Sequence, residues 1–219
     1  MITYNDIKNN EEIKTYITFA DVSLQTLGYT EHSFAHVGLV SKRAADILTA
    51  IGADEREIEL TKIAGYLHDI GNLVNRTDHS QSGAIMAFRI LSEMGMCAEE
   101  VASVVTAIGN HDEGTGVPVS DIAAALIIAD KSDVRRSRVR NKDFSTFDIH
   151  DRVNYSVVDS ELTINADEKV VLLKLQIDTK ISSIMSYFEI FLRRMSLCCL
   201  AAERLGLNFK LTINDQSFI

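Results

Sequence analysis

The sequence predicts a mainly α-helical chain that closes with a small α+β segment of antiparallel strands and one long helix. Three observations carry this. Apolar residues recur at helical spacing through about residue 145, a single proline (Pro118) interrupts 219 residues, and period-two alternation is confined to the last third. Hydrophobic residues make up 46% and charged residues 24%, an ordinary globular composition that excludes a disordered chain.

Taken in order, residues 10–27 read as an N-terminal helix. Thr30-Glu31-His32 opens a second, with Phe34, Val37, Val40, Ala44, Ile47 and Leu48 on one face and Gly52 as its stop. Asp54 can cap a third, whose stripe includes Ile58, Ile63, Tyr66 and Leu67 and which ends near Gly71. Asp78 or Ser80 opens another, and residues 98–108 and 121–133 give two more. The expected helical domain is 1–148, with an appendage over 149–219. In the appendage Val153, Tyr155 and Val157 alternate, as do Val171, Leu173, Leu175 and Ile177, with a turn at 165–168 between them. Residues 180–205 return to a helix that is apolar around most of its circumference, so it is expected to be buried on two sides, between the helical domain and a sheet or a second subunit. A homodimer using this helix is the expectation. Leu207, Phe209, Leu211 and Ile213 alternate in a last strand.

The net charge, 22 − 31 = −9, argues against broad nucleic-acid binding. No apolar run approaches the roughly 18 residues of a membrane span. The polar, acidic start lacks the features of a secretory signal. Cys97, Cys198 and Cys199 are too few and too close-set for a disulfide framework, so a cytoplasmic protein with reduced thiols is expected.

Of six histidines, five lie in the helical part near element ends: His32, His36, His68, His79 and His111. Asp130 directly follows the most apolar stretch, 123–129, where a carboxylate is costly to bury unless something positive meets it. A metal ion would do so. Imidazoles with carboxylates suit Fe, Mn, Zn, Co or Ni rather than calcium, and one carboxylate can bridge two ions about 3.5–4 Å apart. On that reading Asp69 bridges, His36, His68 and Asp130 complete one ion, and His79 and His111 hold the second. Spacing alone leaves open the alternative that each histidine is packed or exposed without a ligand role.

The pattern His36, His68-Asp69, His79, His111, Asp130 resembles the HD superfamily of metal-dependent phosphohydrolases over about residues 30–140. The flanks resemble it too: Leu67-His68-Asp69-Ile70-Gly71, then His79 with Ser82-Gly83-Ala84, and Ala129-Asp130-Lys131-Ser132-Asp133. Within the superfamily the chain is most similar to the HD-GYP branch, whose signature is HDxGK followed by HHExxDGxGYP. Here Asn72 stands for the lysine that faces a phosphate, Asn110 for the first paired histidine and Val117 for tyrosine, and the loop before Pro118 is about two residues short. The resemblance implies an HD-domain helical bundle holding two divalent transition-metal ions, Fe or Mn foremost, that hydrolyses a small phosphorylated substrate. Cyclic di-GMP is disfavoured by the departures. The resemblance implies Asp69 as the bridging carboxylate, with His79, Lys131 or a metal-bound water as candidates to protonate the leaving oxygen. An HD-type di-iron oxygenase shares the ligand set, and a catalytically weak nucleotide-binding signalling module is a further alternative.

Other residues carry two readings each. His32, four residues before His36 on one expected helix face, is either a ligand to a third ion or a histidine that lies at the surface or supports a ligand without touching the metal. Asp133 either orients a ligand histidine or pairs with Arg136. Arg135, Arg136 and Arg138 either grip substrate phosphate or end a solvated helix. His150-Asp151 reads as structural or exposed, Cys198-Cys199 as packing, and Gly114 with Gly116 as shaping a loop at the site mouth.

Overall fold

Side-chain caps set where most of the helices begin. In the computed structural model, which describes residues 1–219, Thr3 and Asp6 form a reciprocal capping box on α1 (Tyr4–Asn9), a helix too short for apolar spacing to reveal. Asn10 caps α2 (Glu11–Thr26), Ser33 caps α3 (Phe34–Ala50) and Asp54 caps α4 (Glu55–Leu67). After a 3₁₀ turn at Ile70–Leu73 come α5 (His79–Glu93) and α6 (Ala98–Gly109). Ser120 then caps α7 (Asp121–Lys131). His32 thus precedes α3 and its cap instead of sharing the helix face with His36, because Ser33 supplies the capping hydroxyl one residue later.

Helix α7 is the axis of the bundle. Its residues from Ile122 to Ala129 are all buried, and it packs against α3, α4, α6 and α9. A helix with no polar face has no side left for solvent, so whatever ends it stands deep in the protein.

The expected strand through Val153 and Tyr155 is corrected to a helix, α8 (Ile149–Ser156). Asp148 accepts a hydrogen bond from the Asp151 N–H and caps it, and this local signal outweighs a three-residue alternation. The strands β1 (Val157–Asn165) and β2 (Val170–Ile177) form an antiparallel hairpin. Helix α9 (Ile184–Arg204) then crosses back, so β3 (Asn208–Ile213) joins β2 in parallel, and the short β4 (Gln216–Ser217) pairs antiparallel with β3. The expectation of antiparallel strands therefore holds for two of the three pairings. A strand separated from its neighbour by a 21-residue helix is returned to the same end of the sheet, which is what parallel pairing needs. The cross-strand pairs Val171–Phe209, Leu173–Leu211 and Leu175–Ile213 are buried. Helix α9 lies between α7 and β3, as its nearly all-round apolar surface anticipates. Cys198 is buried within it, and Met185, Leu192 and Leu200 stay exposed along its outer face. No helix is long and apolar enough to cross a membrane.

Gly71 fixes the join between α4 and α5. A Cβ there would lie 2.0 Å from the His79 carbonyl oxygen and 2.4 Å from the Gly83 nitrogen, both backbone atoms that cannot step aside. Gly71→Ala should therefore lower stability by about 2 kcal/mol or more, whereas Gly109→Ala, whose Cβ would meet nothing closer than 3.6 Å, should stay within about 1 kcal/mol of wild type. Chemical denaturation of the two variants checks this, and equal losses would contradict it.

Candidate metal centre

Six side chains converge where the helix ends meet. His36 comes from the first turn of α3, His68 caps the end of α4 with Asp69 following, and His79 begins α5. His111 follows α6, and Asp130 sits in the last turn of α7. His36, His68, Asp69, His79 and His111 are buried, and the Asp130 side chain is 12% exposed.

The two oxygens of Asp69 face opposite halves of the cluster. Oδ2 is 3.2 Å from His68 Nε2 and 3.5 Å from His36 Nε2, while Oδ1 is 3.4 Å from His79 Nε2. Asp130 Oδ1 faces the first half, 3.3 Å from His36 Nε2 and 3.7 Å from His68 Nε2. In the second half His79 Nε2 and His111 Nε2 are 3.2 Å apart.

Every one of these imidazoles has its other nitrogen engaged by an oxygen. His36 Nδ1 meets Asp133 Oδ2 at 2.8 Å, His68 Nδ1 the Gly65 carbonyl at 2.8 Å, His79 Nδ1 the Arg76 carbonyl at 3.1 Å, and His111 Nδ1 the Ile108 carbonyl at 2.6 Å. An oxygen acceptor demands the proton on Nδ1, which leaves Nε2 a lone pair pointing inward. Nε2 of His36 and of His68 are buried with no hydrogen-bond partner at all. Unpartnered nitrogen acceptors facing carboxylates are a donor set that a transition-metal cation fits. Two compact donor groups can hold such an ion: His36, His68 and Asp130, and His68, Asp69 and His111.

The electrostatics show the same demand for positive charge. Burial opposes ionisation of Asp69, yet His68 and the other imidazoles around it hold its carboxyl well below the usual range. Burial likewise opposes a charge on His68, but Asp69 and Asp130 outweigh it and lift its pKa to about 10. Without a cation, a proton on His68 and the Lys131 ammonium beside Asp130 offset the two carboxylates. Burial, reinforced for His111 by the charge of His68, lowers the pKa of His79 and His111, so both stay neutral acceptors.

Around this core, Asn72 donates to both Asp69 Oδ1 and the Asp69 carbonyl at 2.9 Å. It therefore holds the central carboxylate from the position where the resemblance expects a phosphate-facing lysine. Lys131 is buried, its ammonium 2.7 Å from Asp130 Oδ2 and 2.7 Å from Glu113 Oε2. Asp133 orients His36 and is gripped at both oxygens by Arg135. Its partners are therefore Arg135 and His36, not Arg136, which donates to the Tyr155 carbonyl and lies over that ring.

A cavity of about 520 Å³ opens onto Asp69, His79 and Asp130. Of the three arginines expected near a phosphate, only Arg138 lines it. His32 also lines it; its Nδ1 contacts the Thr30 carbonyl and its Nε2 is 4.0 Å from Asp69 Oδ2. His150, read from sequence as structural or exposed, stands with Asp151 on the cavity wall. Sequence reasoning missed Arg76, Glu113 and Arg194, which also line it. Glu113 rides on the loop after His111, which Gly116 lets fold back so closely that a Cβ would lie 2.5 Å from the Asp112 carbonyl oxygen. An arginine inside a helix otherwise read as buried was the available signal for Arg194.

Residues 30–138 match the family model described as HD domain. An uncharacterized protein of Methanocaldococcus jannaschii is 26% identical over 211 residues, covering 85% of this chain and 79% of its own length. A crystal structure described as a predicted HD superfamily hydrolase, from an uncultured Thermotogales bacterium, is 27% identical with a TM-score of 0.45, over 57% of this chain and 67% of that one.

Asp133 makes the metal-free protein acid-sensitive in a defined direction. Burial opposes its charge, but the bonds from His36 and Arg135 and the nearby Arg138 keep its pKa well below the ordinary 3.8. A carboxylate with a depressed folded-state pKa contributes stability that is complete above the unfolded value and is lost as pH falls below it. Wild-type stability should therefore decline from about pH 4 toward about pH 2 more steeply than that of Asp133→Asn. The variant should be less stable by about 2 kcal/mol at neutral pH, because it breaks the two-pronged contact with the part-exposed Arg135 and removes the charge that faces the buried His36 and Arg138. Denaturation of both proteins across pH checks this; parallel acid limbs would contradict it.

Proposed function

From the HD domain at residues 30–138 we propose that this chain is a metal-dependent phosphohydrolase acting on a nucleotide or another small phosphoester. The supporting observation is the convergence of inward-facing Nε2 atoms on Asp69 and Asp130, two of them buried without a partner. In this reading His36, His68, Asp69 and Asp130 hold one transition-metal ion, and Asp69, His79 and His111 a second, with Fe or Mn foremost. Bound there, such ions supply Lewis-acid charge to a phosphoryl oxygen and acidify water.

The rest of the work falls to the chain's own groups. Asp69 splits its two oxygens between the halves, and Asn72 keeps it from rotating. Asp133 holds the proton on His36 Nδ1, so Nε2 remains an acceptor. Lys131 offsets the charge of Asp130. Its ammonium is buried between two carboxylates; burial opposes its charge, but Asp130 and Glu113 outweigh that and its pKa rises, so it is protonated beside Asp130. A cavity of about 520 Å³ falls in the range of sites for single small ligands. With Asn72 turned to Asp69, the lysine contact of the HD-GYP signature is absent, so a mononucleotide or simple phosphoester is preferred to cyclic di-GMP.

Metal analysis with a phosphatase and phosphodiesterase panel, on protein purified without chelator, tests the reading. Two ions per chain are expected. Asp69→Asn should lose both together with at least about a thousandfold of activity, and His79→Asn should lose mainly one. Rates on cyclic di-GMP well above those on mononucleotides would contradict the substrate preference, and full metal loading with no phosphoester hydrolysed would contradict the activity.

A second expectation follows from His68. Its folded pKa of about 10 in metal-free protein makes it charged at neutral pH, and ligation requires the neutral ring. Metal uptake at neutral pH should therefore release protons, and calorimetric enthalpies should change with buffer ionisation enthalpy. A buffer-independent enthalpy would count against His68 as a ligand.

A further inference from the structure

We propose that Arg194, carried by α9 in the C-terminal segment, is the cation that binds the substrate's phosphate group, and that Glu113 aims it. This rests on the phosphohydrolase reading and names the residue that recognises the phosphate.

Four cationic side chains line the cavity: Arg76, Lys131, Arg138 and Arg194. Lys131 is spent, its ammonium shared between Asp130 and Glu113 with 4% of the side chain exposed. Arg138 is 6% exposed, and it donates Nε to the Glu31 carbonyl and Nη1 to the Asp133 carbonyl. Arg76 makes one side-chain hydrogen bond, 3.3 Å to the Asn72 amide oxygen, with Asp69 Oδ1 3.9 Å from it and the Tyr29 ring centroid 5.8 Å away, so its contacts are long and its charge already faces Asp69. Arg194 differs from all three. Its Nε donates to Glu113 Oε1 at 2.8 Å, its guanidinium lies 4.6 Å over the Phe191 ring, and 22% of the side chain is exposed. No protein atom accepts from its two remaining nitrogens. A guanidinium fixed along one edge and by its plane presents its other edge, in a set orientation, to a ligand with two oxygens.

Charge points the same way. Asp130, Lys131, Glu113 and Arg194 form one chain of ion pairs whose formal charges cancel. Remove Arg194 and that wall becomes net negative beside the place where a phosphate must sit. Arg194 also stands on a helix whose neighbouring turns bury Phe191, Met195 and Cys198. An arginine in such company is costly unless its charge is used, and Glu113 uses only one edge of it.

The test is calorimetric binding of inorganic phosphate to metal-loaded wild type, Arg194→Gln and Arg194→Lys, with metal content and melting temperature measured for each. Both variants should keep their metal content and bind phosphate about ten- to a hundredfold more weakly, because lysine's single ammonium is taken by Glu113 and the free edge is gone. Where a substrate is found, KM should rise more than kcat falls. If Arg194→Gln fails to fold, Arg194→Lys alone decides. Phosphate binding within about threefold of wild type in the folded variant overturns the proposal, as does loss of metal in step with phosphate, which would mean that Arg194 acts only through Asp130. A wild type that binds phosphate but hydrolyses no phosphoester defeats the phosphohydrolase reading and still leaves Arg194 measurable. Wild type that is fully metal-loaded yet binds no phosphate defeats both.

Discussion

Two carboxylates placed inside an apolar helical bundle set the terms for everything around them. Asp130 ends a helix with no solvent face, and Asp69 follows α4 at the point where four other elements meet. Neither can lose its charge to solvent, and leaving both unpaired would cost far more than a domain's whole margin of stability. The surrounding arrangement answers that requirement twice. On the inside, imidazole nitrogens face the carboxylate oxygens and take up a proton or a cation. On the outside, Lys131 reaches Asp130 and Asn72 reaches Asp69.

Backbone proximity makes this possible. Gly65 lies so close to α3 that a Cβ would sit 2.8 Å from the Ser41 Cα, and Gly71 presses as tightly on the start of α5. The first packs the end of α4 against the middle of α3 and the second joins the end of α4 to the start of α5, and helix ends are where carbonyls lack intrahelical partners. Three of the four clustered histidines give Nδ1–H to a carbonyl three residues earlier, at Gly65, Arg76 and Ile108. The free carbonyls of helix termini and turns thus set the tautomer of the rings. His36 is the exception: its Nδ1 meets the Asp133 carboxylate instead of a carbonyl.

The helices were legible because each buries a stripe at 3.6-residue spacing and most start at a capping Ser, Asn or Asp. The short elements were not. Helix α1 has one buried residue, Ile7, and α8 carries Val153 and Tyr155 in a strand-like alternation too short to stand against the Asp148 cap. The parallel pairing of β3 is a consequence of where α9 docks, which no local pattern encodes. The cluster of His36, His68, Asp69, His79, His111 and Asp130 was legible through the resemblance of its pattern and flanks to the HD superfamily, residue type alone singling out Asp130 as costly after an apolar run, and the structure brings the six together. What surrounds them was less visible. Arg135 and Arg136, two and three residues after Asp133, turn to a carboxylate and a carbonyl away from the cavity, while Arg194, more than sixty residues from the nearest of the six, lines it. Sequence adjacency to a ligand is a poor guide to facing the site, since successive residues leave the end of a helix in different directions.

The path from α9 to the centre changes what the C-terminal segment is. Arg194 meets Glu113, Glu113 meets Lys131, and Lys131 meets Asp130, each contact between 2.7 and 2.8 Å. Glu113 alone would bring a second, partly exposed negative charge next to Asp130, with one lysine to serve both. Arg194 offsets that imbalance, so α9 supplies the charge that balances the carboxylate on the loop after His111. The fold of the last third, a sheet backing a helix that is apolar nearly all round, presses this arginine against α7 and holds it there. The helical bundle therefore supplies the donors that face one another, and the segment beyond it completes the charge balance of the wall beside them.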